Sequence, residues 1–135
     1  MGDRTHLEFE FMEIDKSVVD EVLGSGTEEP GPAPGWLTRI EEEANYGLLL
    51  QREILAARGV ALLGHHGSGG GYNAAVFVSV GGEHVECASL EHGGPPAPVV
   101  DVDEDGQLHE GMLRNARRYW KLVGQIRAVM QDAQL

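Results

Sequence analysis

Four histidines and the only cysteine lie in one stretch of the chain: His65, His66, His84, Cys87 and His92. Imidazole and thiolate are the side chains that bind zinc and related metals, and that pair as base and nucleophile. Their spacing does not favour either role. No HExxH or paired CxxC pattern is present, and His65 and His66, being adjacent, point to opposite sides of an extended strand. The Gly81-Gly82 pair between two strand-like runs predicts a tight hairpin. If Val80 pairs with Glu83, then Ser79 faces His84, Val78 faces Val85, Phe77 faces Glu86 and Val76 faces Cys87. Val76, Val78, Val85 and Cys87 then share the buried face, and Phe77, Ser79, His84 and Glu86 share the other. Cys87 is thereby separated from His84. What remains is a candidate ligand or acid–base site: His65, His66, Ser79, His84 and Glu86, beside the glycine-rich loop Gly64–Gly71. Glycine-rich loops also cradle phosphates, but this one has neither a P-loop lysine nor a following helix.

The second candidate is Asp101-Val102-Asp103-Glu104-Asp105-Gly106. It resembles the start of an EF-hand calcium loop, with three carboxylates two residues apart, a glycine for the sharp turn and Leu108 at the eighth position. The resemblance implies Asp101, Asp103 and Asp105 as calcium ligands and covers half of the twelve-residue loop. It departs at the twelfth position, where Met112 replaces the bidentate glutamate. The alternative is a β-turn whose acids sit in water ahead of a helix. Calcium is the only cofactor that the residues raise. The glycine-rich hairpin of protein kinases also joins two strands, but the chain has none of the remaining kinase motifs.

Charge supplies the third candidate. The formal net charge is −12, and residues 1–110 hold five of the ten Lys and Arg against 21 of the 22 acids. Residues 111–135 reverse the sign, with Arg114, Arg117, Arg118, Lys121 and Arg127 against Asp132. An acidic field opposes nucleic acid and anionic membranes and favours basic partners. Glu41, Glu42 and Glu43, with Glu28 and Glu29, are the candidate acidic face. Arg114, Arg117, Arg118 and Lys121 recur at helical spacing and form one basic stripe.

The elements that must position these residues follow from periodicity. Leu7, Phe9 and Phe11 alternate with Glu8 and Glu10, predicting a strand; residues 16–23 predict a short helix stopped by Gly24. Residues 25–35, rich in Pro and Gly, read as a loop. Residues 36–58 predict a helix, with Leu37, Ile40, Ala44, Leu48 and Leu55 on one stripe, Leu50 and Ile54 widening it, and Thr38 with Glu41 as a capping box. Short strands are expected at 60–63 and 99–103, a turn at 104–106, a loop at 93–98, and a final helix over 109–132. That helix should bury Met112, Leu113, Ala116, Tyr119, Trp120, Val123, Ile126 and Met130. The sum is one α+β domain over 1–135. Its order is β-α-α-β-β-β-β-α, with a mainly antiparallel sheet of four to five strands and helices on one face.

One cysteine excludes an intrachain disulfide, the chain start lacks a secretory pattern, and no apolar run is long enough to span a membrane. These features set the expectation of a cytoplasmic protein. Without a coherent catalytic constellation, the leading expectation is an acidic protein-binding module that masks a basic partner, in the manner of immunity or antitoxin-type inhibitors. The alternative is a small enzyme or ligand-binding domain at the 64–71 loop and the outer face of the hairpin. On the masking reading, association with the basic partner is fast and falls steeply with salt. Charge reversal at Glu41–Glu43 then slows it in stopped-flow mixing, and an unchanged on-rate counts against that surface.

Overall fold

The computed structural model describes residues 4–69, 72–90 and 96–134. Strand β1 (Arg4–Met12) is followed by helix α1 (Lys16–Leu23), then strands β2 (Thr27–Pro30) and β3 (Trp36–Asn45). Helix α2 (Leu49–Ala57), strand β4 (Leu62–His66), the hairpin β5 (Ala75–Val80) and β6 (Glu83–Ala88), and helix α3 (Glu110–Gln134) complete the order. The six strands form one sheet, β2-β3-β1-β4-β5-β6, and every neighbouring pair is antiparallel. The chain is therefore α+β with an antiparallel sheet, as its alternating runs imply. No helix among the described residues is long and apolar enough to cross a membrane.

Strand alternation divides the core in two. Leu7, Phe9, Phe11, Leu62 and Phe77 point to one side and pack with Val19 of α1 and Leu55 of α2. Trp36, Val76, Val78, Val85 and Cys87 point to the other and pack against Tyr119, Leu122, Val123, Ile126 and Met130 of α3. The helices thus occupy both faces, where the sequence reading placed them on one. The hairpin register is the predicted one throughout, from Val80↔Glu83 to Val76↔Cys87. Gly81 and Gly82, with φ of 62° and 86°, supply the left-handed turn that fits the strand twist.

The predicted helix over 36–58 is corrected. Residues 36–45 are strand β3, and only 49–57 are helical. Arg39 explains the misreading. It stands opposite Phe9, at a core-facing position of β3, and its side chain is fully buried. A charged residue there erases the period-two signal and leaves Leu37, Ile40 and Ala44 to mimic a helical stripe. Leu50 and Ile54, expected to widen the buried stripe, are exposed on α2. The predicted strand over 99–103 is also corrected: that segment makes one isolated bridge, Val102↔Leu108, and Pro98 just before it makes another with Ser89. The 25–35 loop contains the short edge strand β2, in which Pro30 is tolerated because it lies at the sheet edge. The last helix buries Ala116, Tyr119, Val123, Ile126 and Met130 of its predicted stripe, leaves Met112 and Leu113 half-buried and Trp120 exposed, and also buries Leu122. Residues 93–95 of the expected 93–98 loop, and His92, lie outside the described residues.

Arg39 ties the β2 side together. Nε donates to Glu41 (2.9 Å), Nη1 to Asp20 (3.1 Å) and Glu28 (3.2 Å), and Nη2 to the Gly24 carbonyl (2.6 Å). One guanidinium thereby links α1, its C-cap, β2 and β3. On the other side of β1, Gly64 of β4 lies directly opposite Phe9. A Cβ there would sit 2.2 Å from the Glu8 carbonyl oxygen and 2.5 Å from the Phe9 Cβ, so β1 and β4 pack only around a glycine. Gly64→Ala is therefore expected to lower unfolding free energy by roughly 3 kcal/mol in urea titration. Gly81→Ala meets open space and costs roughly 1 kcal/mol for its positive φ. Equal effects would overturn the close-approach account.

Candidate functional site

The hairpin's outer face lies under α2, and there four polar side chains converge. Arg52, buried on the inner side of α2, extends its guanidinium to the sheet. Nη2 donates to Glu86 Oε1 (2.6 Å), Nη1 to His84 Nε2 (3.0 Å) and Nε to the Gly47 carbonyl (2.8 Å). The guanidinium carbon lies 4.1 Å from the centre of the Phe77 ring, which is flanked by the His66 and His84 rings at 6.4 and 6.3 Å. Three N–H groups of Arg52 are thus met by acceptors, and its guanidinium lies over an aromatic ring.

These contacts fix the protonation pattern. Arginine only donates, so His84 Nε2 accepts and the ring is neutral, with its proton on Nδ1. Burial, reinforced by the adjacent guanidinium, pulls His84 down to about 4. For Glu86, burial alone acts upward, but His66 and Arg52 outweigh it and hold the carboxyl at about 2. His66 Nδ1 faces the Gly67 carbonyl at 2.8 Å, and Nε2 lies 3.5 Å from Glu86 Oε1. Both nitrogens of His66 face oxygen atoms of the protein. Glu86 Oε2 makes no hydrogen bond among the described residues.

Beside this network opens a cleft of about 260 Å³. Glu86 and His66 line it together with Tyr46, Tyr72 and Asn73, over a floor of Ala74, Ala75 and Ala88. The two tyrosine rings stand 5.7 Å apart at 38°, and Tyr72 meets the His66 ring edge-on at 5.4 Å. The turn that carries Tyr46 is left-handed: Tyr46, Gly47 and Leu48 have φ of 52°, 61° and 55°. L-residues pay about 1–2 kcal/mol each for that conformation. Gly47 is required there, because a Cβ would lie 2.5 Å from the His66 ring. Arg52 holds the turn through its bond to the Gly47 carbonyl.

Of the five residues expected at this site, His66, His84 and Glu86 are brought together. Ser79 is fully buried, its Oγ has no hydrogen-bond partner, and it does not line the cleft. His65 points to the opposite face, 3.5 Å from Glu8. Arg52, Tyr46 and Tyr72 were missed. The one available signal was an arginine on an otherwise apolar helical stripe, four residues after Leu48 and three before Leu55.

The other candidates are dispersed. Glu28 and Glu41 are held by Arg39, with Glu28 also bonded to Lys16 at 2.7 Å, and Glu42 is bonded to His6 at 3.2 Å. Glu29 and Glu43 are exposed. Asp101, Asp103 and Asp105 lie on an exposed turn, where Asp103 Oδ1 accepts the backbone N–H groups of Asp105 and Gln107 at 2.9 Å. Among the described residues no three His, Cys, Asp or Glu side chains converge as metal ligands. Cys87 is buried against α3, where burial and then the Glu86 charge push its thiol up to about 11, a poor nucleophile. On α3, Arg118 pairs with Glu83 at 2.7 Å, and Arg114, Arg117 and Lys121 are exposed.

No family model matches the chain, and no curated protein or solved structure is similar to it at a significant level.

The network makes stability depend on pH. His84 has a lower pKa in the folded protein than its ordinary 6.5, so between about pH 4 and 6.5 the unfolded chain binds the extra proton. The His84 contribution is complete above 6.5 and is lost as pH falls toward 4. Glu86 adds a loss in the same direction between about 4.5 and 2. His6, raised because bonds to Glu8 and Glu42 outweigh its burial, acts oppositely and favours the fold at the lower end of its titration. Urea midpoints measured from pH 7 to 4 should therefore fall less steeply in His84→Gln than in the parent. Parallel curves would contradict the buried neutral imidazole.

Proposed function

We propose that the protein is a small ligand-binding domain whose site is the cleft between the 46–48 turn, His66, Tyr72 and the β5–β6 ladder. The observation that carries the reading is the construction of its wall. A buried arginine holds the Glu86 carboxylate and the left-handed 46–48 turn in fixed positions, Glu86 lies 3.5 Å from His66, and Glu86, His66 and Tyr46 line the same opening. Strained backbone of this kind persists only where its surroundings over-determine it, and it concentrates at ligand sites.

Binding is favoured over catalysis by what the side chains are doing. Both His66 nitrogens are engaged, His84 is locked behind Arg52, and Cys87 and Ser79 are on neither wall. Neither Cys87 nor Ser79 is thus placed beside His66 as a nucleophile paired with a base. The size suits a ligand at the small end of the usual pocket range.

The net charge of −12 favours a second reading, an inhibitor that masks a basic protein. Its proposed face is weakened by Arg39, Lys16 and His6, which already engage Glu28, Glu41 and Glu42.

The test is a small-fragment screen by ¹H–¹⁵N NMR on the full chain. Hits should move the amides of residues 46–49, 66–67, 72–75 and 86–88 together, and Tyr72→Ala should weaken them roughly ten-fold. A library that moves amides only elsewhere, or none, overturns the proposal.

A further inference from the structure

The cleft's chemistry narrows its ligand. Resting on the ligand-site reading above, we infer that it takes an alkylammonium group, seated against the free carboxylate oxygen of Glu86 and the faces of Tyr46 and Tyr72. Three observations converge. First, Glu86 Oε1 is occupied by Arg52, while Oε2 makes no hydrogen bond among the described residues of a side chain that lines the opening. Second, no Lys or Arg is among the residues that line the cleft, and the guanidinium behind it is turned to Glu86 Oε1. The Glu86 carboxylate is the charge that the cleft lining presents, within a protein of net charge −12. Third, the two tyrosine rings form a tilted corner 5.7 Å between centres, and aromatic faces attract cations most where water is partly excluded. An anion would meet Glu86 first, ionised at any physiological pH, and a neutral ligand would leave the corner and the carboxylate unused.

Two sources present this group: a free small amine, and a lysine side chain of a polypeptide. Beside the cleft Leu49, Leu50 and Ile54 are exposed in a row along α2, continuous with Tyr46. That apolar shoulder gives a polypeptide additional surface and a free amine none.

The test titrates the ¹⁵N-labelled full chain with n-butylammonium, n-butanol and butyrate, three probes of one size and three charges. Butylammonium is expected to move the cleft amides at least ten-fold more tightly than butanol, and butyrate not at all. Tyr46→Leu, a change at an exposed side chain, should weaken butylammonium about three-fold and leave butanol unaltered. Glu86→Gln should abolish the discrimination; Tyr46→Leu keeps the question decidable if that variant fails to fold. A blocked lysine peptide with apolar neighbours, set against its ε-acetylated form, separates the sources. Tighter binding by the unmodified peptide than by butylammonium supports the lysine, and the reverse supports a free amine. Equal binding of butanol or butyrate at the same amides would overturn the ammonium assignment and leave the cleft as a ligand site. Failure of every probe and every fragment to reach those amides would remove the site itself.

Discussion

Two buried guanidinium groups organise the face of the sheet that carries α1 and α2. Burying a charge is costly unless it is paired and its hydrogen-bonding directions are filled, so each arginine requires neighbouring elements to supply acceptors. Arg39 draws them from α1, the Gly24 C-cap, β2 and β3. Arg52 draws them from the 46–48 turn and from β6. The apolar core supplies most of the driving force, as in any domain of this size. The arginines decide geometry: where the edge strand lies, how α2 sits on the hairpin, and which way Tyr46 faces.

This division supports the proposal that the cleft serves recognition and not turnover. A group that must be neutral to serve as acceptor for Arg52, as His84 must, cannot also exchange protons with a substrate. A carboxylate held near pKa 2 stays charged under all ordinary conditions and makes a dependable electrostatic feature but a weak base. The network therefore presents fixed charge and shape at the cleft wall, which is what discrimination among small ligands needs.

How much was legible in the sequence depended on whether a signal was local. The hairpin register followed from Gly81-Gly82 and strand alternation, both contained within sixteen or so residues. The same alternation put His84 and Glu86 on one face and separated them from Cys87. His66 joined them because adjacent residues on a strand take opposite sides, which also sent His65 away. Arg52 and Tyr46 were not legible, because they meet the hairpin only through the packing of α2, more than thirty residues distant in the chain. Strand β3 failed for a related reason: a buried charge looks like a surface residue until its partners are in place. Asp103, by contrast, behaved as its residue type dictates, bonding to backbone two and four residues on.

The two margins of the sheet have a consequence for association. Strand β2 is only four residues long and ends at Pro30. At β6, Asn115 of α3 donates to the Glu86 carbonyl at 2.6 Å, and the Val99 N–H donates to the Ala88 carbonyl at 2.9 Å. Open strand edges are the usual templates for adding a foreign strand, and here one is short and proline-ended while the other is partly filled by side chain and loop. Growth of the sheet by strand addition is thus hindered at both margins. The helices offer apolar ground of another kind, with Leu49, Leu50 and Ile54 exposed on α2.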